Sequence, residues 1–159
     1  MAGVQALTRF YHEEEASGTR PSAIEQEFGF ELGPTKVRGR LDRVDQTPEG
    51  SVIIDYKSSD VTEQKKADQR AKESLQLKIY ALAWKEMTGR LPVAVELRFL
   101  ESGLVGRYRP TEADLAEARD AIETAARGIR QRRFDPTPGY QTCRYCPYNQ
   151  ICPSTATQE

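Results

Sequence analysis

The sequence has 159 residues, of which 30% are charged and 38% are hydrophobic, and its formal net charge is -1. This length suits one domain with a substantial core, and the composition excludes a disordered chain. No apolar run approaches the about 20 residues of a membrane-spanning helix, which excludes a membrane function. The first residues also lack the basic and apolar regions of a secretion signal, so we expect a cytoplasmic protein.

The first third of the chain predicts one helix and then three strands. Leu7, Phe10 and Tyr11 recur at helical spacing within residues 4–16. Glycines and prolines separate the runs that follow, and residues 47–50 have the composition of a turn between antiparallel strands. We therefore expect a meander of three strands, at residues 23–32, 36–45 and 51–58.

The rest of the chain predicts a helix, a hairpin, a second helix and a tail. Residues 62–87 contain no glycine or proline, which predicts one long helix, and residues 93–100 and 103–109 predict two strands. Thr111 and Asp114 are spaced as in a capping box, at the start of a helix that reaches about Arg133. Its apolar stripe is Leu115, Ala118, Ile122, Ala125 and Ile129. This order predicts an α/β fold with a mixed central sheet flanked by helices.

Two aspartates and a lysine are the most informative polar residues. Asp55 and Lys57 point to the same side of a strand because side chains alternate along it. If the neighbouring strand brings Asp42 alongside, two carboxylates converge and require a divalent cation between them. Such a site performs metal-assisted phosphodiester hydrolysis, with Lys57 orienting water or stabilising phosphate charge. The alternative is a solvated turn beside a surface ion pair worth under about 1 kcal/mol.

The long predicted helix carries a polar face as well as an apolar one. Gln76 and Tyr80 are four residues apart, and Lys72 precedes them by one turn on the same face. These side chains are placed to reach the strand of Asp55 or a phosphate, or alternatively they form a polar rim around the core. The residues expected to pack against the sheet are Leu75, Ile79 and Leu82.

Three cysteines lie in the tail, at Cys143, Cys146 and Cys152. An odd and clustered set is a poor disulfide framework but a good pattern for metal ligation. A structural zinc site is one alternative, although zinc requires four ligands and no fourth cysteine or nearby histidine is present. The other alternative is three reduced thiols.

Together these residues resemble the RecB-type branch of the PD-(D/E)XK nuclease superfamily, from about Glu25 onward. The resemblance implies a restriction-endonuclease-like αβββαβ core and a Mg²⁺- or Mn²⁺-dependent nuclease. It also implies that Asp42 and Asp55 are metal ligands, Lys57 is the catalytic lysine, and the carbonyl of Tyr56 is a further ligand. Gln76 and Tyr80 match the helix motif of this branch. The matching segments are Gly39-Arg-Leu-Asp42-Arg-Val-Asp45, Asp55-Tyr-Lys57, Gln76-Leu-Lys-Ile-Tyr80 and Cys143-Arg-Tyr-Cys146-Pro-Tyr-Asn-Gln-Ile-Cys152.

In the iron–sulfur members of this branch, three such C-terminal cysteines join one far upstream to hold a [4Fe–4S] cluster. The sequence has no upstream cysteine, and its only histidine is His12, where the branch has a metal-binding histidine on an early helix. His12 and its neighbours are more typical of an exposed helix face, and Glu25 is more typical of an exposed acidic edge. We therefore expect residues 1–159 to be one nuclease domain, truncated from a longer protein, with a cysteine-bearing tail at 134–159.

Three candidate functions compete, and the resemblance implies the first of them. The first is a DNA nuclease, with exonuclease favoured over endonuclease, linked to a helicase motor of the UvrD/Rep class in DNA repair or recombination. The second is a non-catalytic DNA clamp of a helicase complex, and the third is an iron–sulfur or zinc interaction domain. Five arginines near the tail indicate either a phosphate-binding patch or a solvated helix end. They are Arg127, Arg130, Arg132, Arg133 and Arg144.

Overall fold

The computed structural model describes residues 2–59 and 61–156. The chain divides into two compact units, Met1–Glu123 and Thr124–Glu159. The elements are α1 (Ala2–Ser17), β1 (Ala23–Leu32), β2 (Thr35–Thr47), β3 (Gly50–Lys57), α2 (Gln64–Glu73), α3 (Leu75–Thr88), β4 (Ala94–Phe99), β5 (Val105–Tyr108), α4 (Glu112–Arg130) and α5 (Tyr140–Arg144). None of the helices in the described ranges is both long and apolar enough to span a bilayer.

The five strands form one mixed sheet in the order β1-β2-β3-β4-β5. The first three strands are antiparallel neighbours, β3 and β4 run parallel, and β5 returns antiparallel to β4. Parallel strands need a crossover connection, and α2 and α3 provide it between β3 and β4. The predicted α/β fold with a mixed sheet flanked by helices is confirmed.

The prediction of one helix over residues 62–87 is wrong, because Ser74 separates two helices. Its ψ of 106° is that of an extended residue, and its hydroxyl accepts a hydrogen bond from the Leu77 N–H at 3.2 Å. Ser74 is therefore the N-cap of α3, and capping residues of this type favour a helix start. Lys72 lies on α2, so the prediction that it shares a helix face with Gln76 and Tyr80 is also wrong.

Two apolar clusters form the core around the sheet. In the larger cluster, side chains of the sheet such as Ile53 and Phe99 pack against Leu77 and Leu82 of α3 and Leu115 of α4. The smaller cluster consists of Val52, Ile54 and Ala94, with Tyr56 packed against it. Residues 53 and 55 point to one face of β3, and residues 54 and 56 point to the other. The predicted alternation in this strand therefore places Asp55 on the α3 side.

The predicted apolar stripes of the helices are only partly buried. Leu82 is buried, but Leu75 is 42% exposed because it lies in the first turn of α3, where Leu77 faces the core instead. In α4, Leu115 and Ala118 are buried, whereas Ile129 is exposed. The cap of α4 agrees with the sequence, since the Thr111 N–H donates to the Asp114 carboxylate at 2.8 Å.

Gly106 of β5 lies where the strand passes very close to α2. A Cβ at this position would lie 2.1 Å from the Ala67 carbonyl oxygen, a backbone atom that a rotamer change cannot move. We expect Gly106→Ala to lower the free energy of unfolding by about 2 kcal/mol or more, because overpacking forces the backbone apart. Urea denaturation measures this change. Gly3→Ala is the matched control, since a Cβ there meets no atom within 4 Å, and equal losses in both variants would contradict the close approach.

Candidate active site

Asp42 and Asp55 lie next to each other where β2 and β3 separate. The ladder between these strands runs from Thr47 and Gly50 to Arg43 and Ile54, and no pairing follows among the described residues. At the next position, the Asp42 carboxylate accepts a hydrogen bond from the Tyr56 N–H at 3.1 Å. The Asp42 carboxylate thus accepts the Tyr56 N–H in place of a backbone carbonyl of β2. Beside both carboxylates the described residues of the two strands are no longer paired, and this unpaired region is called the gap below.

Asp55 is buried, with only 2% of its surface exposed. Its Oδ1 accepts a hydrogen bond from Gln76 Nε2 at 2.9 Å, and its Oδ2 lies 2.7 Å from Lys57 Nζ. Burial raises the pKa of Asp55, Lys57 opposes that shift, and the nearby Asp42 charge adds to it. The prediction that these three residues share one site therefore agrees with their positions in the structure.

A short network from α3 holds Lys57. Lys57 Nζ donates to Gln76 Oε1 at 2.7 Å, and Gln76 Nε2 also lies 2.8 Å from the Tyr80 hydroxyl. The rings of Tyr80 and Phe28 meet edge-on, with their centroids 5.9 Å apart. Burial raises the pKa of the Tyr80 hydroxyl. Because Gln76 bonds both Asp55 and Lys57, it fixes the two side chains relative to each other.

The two carboxylates fit a divalent cation. Asp55 Oδ2 is buried, and its close polar neighbour among the described residues is Lys57 Nζ at 2.7 Å. Two neighbouring carboxylates, one of them buried with its pKa raised partly by the other, are oxygen ligands of the kind that a divalent cation binds, and the cation would offset their repulsion. No three histidine, cysteine, aspartate or glutamate side chains of the described ranges form a metal-binding group, so the remaining ligands would have to be backbone, water or substrate oxygens.

The peptide of Tyr56 faces the same gap. The carbonyl of the next residue, Lys57, accepts the Leu100 N–H at 2.9 Å on the β4 side. Since successive strand residues direct their backbone groups to opposite neighbours, the Tyr56 N–H and carbonyl face β2. The N–H bonds Asp42, and the carbonyl lies beside the site, as a further metal ligand would.

A charged cluster on the opposite face of the sheet ties α1 to these strands. Arg43 donates to Asp45 at 2.6 Å and 2.9 Å, to Glu14 of α1, and to the Tyr56 hydroxyl at 3.3 Å. Glu14 also accepts from Arg98 at 2.8 Å. Burial alone would lower the pKa of Arg43, but its bonds to Asp45 and Glu14 raise it overall, so the guanidinium stays charged. These contacts hold Arg43 and Tyr56, the residues that follow Asp42 and Asp55, on the face of the sheet opposite the site.

The buried charge of Asp55 should reduce the stability of the metal-free protein. The pKa of Asp55 is higher in the folded chain than in the unfolded chain. At pH values between these two pKa values, the folded state therefore holds more protons than the unfolded state. Stability is therefore lost as the pH rises through the raised pKa. We expect Asp55→Asn to raise the free energy of unfolding at pH 7 and to flatten this pH dependence, because the neutral amide is not penalised by burial as the charged carboxylate is.

Denaturation of the metal-free variants at several pH values tests this expectation. Asp120→Asn is the control, since Asp120 is exposed on α4. A variant at Asp55 that is less stable than the wild type at pH 7 would show that the buried carboxylate is instead favourable.

His12 and Glu25 lie outside the group of Asp42, Asp55 and Lys57. His12 is on α1, its side chain is 68% exposed, and its Nδ1 lies 3.9 Å from Glu15. Glu25 is an exposed residue of β1 with a φ of 52°, and it pairs with Arg40 at 2.9 Å. These positions favour the exposed helix face and the exposed acidic edge that the sequence indicates.

The cysteines lie in the second compact unit. Cys143 is buried in α5, Cys146 and Cys152 are half-buried, and all three are free thiols. Hydrogen bonds from backbone groups of Ala156 and Gly139 lower the pKa of the Cys143 thiol. The described residues contain no metal-binding group formed by these cysteines. The five arginines near the tail are exposed. Their exposure fits both a phosphate-binding patch and a solvated helix end.

Ser74 is the residue of the site region that the sequence analysis missed. It starts α3, which places Gln76 in the first turn and directs it at the end of β3. A serine immediately before an apolar residue, as in Ser74-Leu75, is a cap signal, but here it lies inside a run of strong helix formers that hides it.

Comparison with known proteins gives the family of the chain. No curated protein is similar enough in sequence to match it. The crystal structure of SSO0001 is similar with a TM-score of 0.57 and 18% identity, over 97% of this chain and 69% of that one. At this identity the similarity concerns the fold alone. The sequence profile of the PD-(D/E)XK nuclease superfamily matches residues 2–153, a range that includes Asp42, Asp55 and Lys57, and the chain therefore belongs to this superfamily.

Proposed function

We propose that the protein is a metal-dependent DNA nuclease that hydrolyses phosphodiester bonds. The observation that carries the proposal is the buried Asp55 carboxylate, which lies beside Asp42 and 2.7 Å from Lys57 Nζ. A carboxylate in this position is costly in the metal-free protein, and membership of the PD-(D/E)XK nuclease superfamily gives it a function as a metal ligand. The pairing of β2 and β3 ends beside the site, and Asp42 and Lys57 are half-buried there, so these two side chains are the ones that a phosphodiester would meet.

In the proposed site each residue has a separate task. Asp42, Asp55 and the Tyr56 carbonyl would hold Mg²⁺ or Mn²⁺, which when bound polarises the phosphate and lowers the pKa of the attacking water. Lys57 places its ammonium beside Asp55, where it orients the water and stabilises negative charge that develops on the phosphate. Gln76 positions Lys57, and Tyr80 supports Gln76.

The finer parts of the proposal rest on the resemblance to the RecB-type branch. They are exonuclease action, a partnership with a helicase motor in DNA repair or recombination, and a [4Fe–4S] cluster held by Cys143, Cys146 and Cys152 with a fourth ligand from elsewhere. Support comes from the contacts of Gln76 and Tyr80, which join the helix motif to Lys57 and Asp55. The lowered pKa of the Cys143 thiol favours the thiolate that a cluster requires.

The test is cleavage of labelled DNA by the purified chain. Linear single-stranded, linear double-stranded and circular DNA are incubated with Mg²⁺, with Mn²⁺ or with EDTA. We expect cleavage of linear DNA that requires the metal, and cleavage of circles would replace exonuclease with endonuclease in the proposal. Metal-independent binding without any cleavage under these conditions would overturn the nuclease proposal and favour the DNA clamp.

A further inference from the structure

A shallow groove of about 270 Å³ adjoins the candidate active site on the α3 side of the sheet. Leu97 and Phe99 of β4 line its floor. Polar side chains line the rest, and they are Lys57, Ser59, Arg70, Glu73 and Ser74. Lys57 belongs both to the groove and to the pair with Asp55, so the groove is continuous with the candidate active site.

Arg70 of α2 is the second cation of the groove, and it makes no ion pair with a carboxylate of the described residues. Its guanidinium carbon lies 6.0 Å from the centroid of the Phe99 ring, and its Nη1 has a long contact of 3.4 Å with the Ser59 hydroxyl. Lys57, by contrast, is paired with Asp55 at 2.7 Å. A guanidinium held over an aromatic ring, with its hydrogen-bond donors little used, remains available to an anion.

We propose that Arg70 binds the phosphate next to the scissile one, so that the groove is a subsite for the DNA strand. This inference rests on the proposed nuclease function and adds the path of the substrate to it. Guanidinium groups bind phosphate through paired hydrogen bonds, which a flexible ammonium does not match. The apolar floor at Leu97 and Phe99 lies where the sugar of the intervening nucleotide would pack.

Glu73 is an acidic residue of the same groove, and it provides a second substitution that tests the proposal. Its carboxylate lies on the same rim, beside the proposed phosphate, and accepts a hydrogen bond from Gln69 at 2.8 Å. Like charges at short range repel. Arg70→Ala and Glu73→Gln should therefore change DNA affinity in opposite directions, which a merely structural role of α2 does not predict.

The experiment measures binding of a short labelled single-stranded DNA in EDTA by fluorescence anisotropy, at several salt concentrations. We expect Arg70→Ala to weaken binding about fivefold and to reduce the slope of log affinity against log salt by about 0.7, the value for one phosphate contact. Arg70→Lys should keep the slope, and Glu73→Gln should tighten binding about twofold. Lys72→Ala is the matched control, since this exposed lysine of α2 does not line the groove.

The outcomes separate this subsite from the nuclease function. An unchanged affinity and slope in Arg70→Ala, or equal losses in Arg70→Ala and Lys72→Ala, would overturn the subsite. If the wild type cleaves DNA but Arg70→Ala binds normally, the subsite fails and the nuclease proposal stands. If Arg70→Ala alone loses binding while the wild type does not cleave, the groove stands as a DNA-binding site and the nuclease proposal fails.

Discussion

Asp55→Asn is expected to abolish metal-dependent DNA cleavage, with a loss of about 10³-fold or more. The amide keeps the shape of the side chain but removes the charge that would hold the cation, and metal assistance is worth several kcal/mol in such reactions. The same substitution should stabilise the metal-free fold, because the pKa of Asp55 is raised by burial. Activity and stability therefore change in opposite directions, which ordinary damage to the fold cannot produce.

Asp42→Asn provides a second version of the same test. Asp42 also bonds the Tyr56 N–H, and the amide oxygen of asparagine can keep that hydrogen bond while the charge is lost. Titration with Mn²⁺ should show loss of metal binding in both variants, and Asp120→Asn should behave as the wild type. Full cleavage by Asp55→Asn would refute the assignment of this carboxylate to the reaction.

Lys57→Ala is expected to lower the rate of cleavage by about 10²-fold to 10³-fold while the protein still binds Mn²⁺. The ammonium lies 2.7 Å from Asp55 and is held by Gln76, and loss of one such preorganised charge has an effect of about this size. Single-turnover cleavage measures the chemical step. Lys36→Ala serves as the control, because that lysine is 73% exposed and pairs with Glu31 on the β1–β2 hairpin.

The pH dependence of metal binding adds a second measurement for Lys57. Lys57 lowers the pKa of Asp55, so its removal should raise that pKa further and shift Mn²⁺ binding to higher pH. Measurements at pH 8 therefore separate weaker metal binding from slower chemistry. A variant that cleaves at the wild-type rate at this pH would show that Lys57 is only an ion-pair partner of Asp55.

Local patterns in the sequence were enough to predict the strands and the residues that meet in the site. The alternation in β3 predicts that Asp55 and Lys57 share a face, and the structure joins them at 2.7 Å. The same pattern predicts the first strand with the bounds of β1, Ala23–Leu32. These properties depend on neighbours close in the chain, and the geometry of an extended strand is the same in every fold.

The break at Ser74 shows where local patterns are insufficient. Residues 62–87 are strong helix formers, and helix propensity alone favours one continuous helix. α2 packs against β5 and β4, whereas α3 packs against β1, β3 and β4, and Ser74 is the cap that separates the two helices. Tertiary contacts override the small free-energy differences of helix propensity, so the position of Gln76 depends on the whole fold.

The sequence by itself determined the α/β fold, the alternating strand that carries Asp55 and Lys57, and the family to which the chain belongs. Only the tertiary structure decided that β2 and β3 separate beside Asp42, that Asp55 is buried, and that Arg70 lies in a groove next to Lys57. The reason is physical, because burial and desolvation arise from residues distant in the chain, whereas periodicity and turn composition are local.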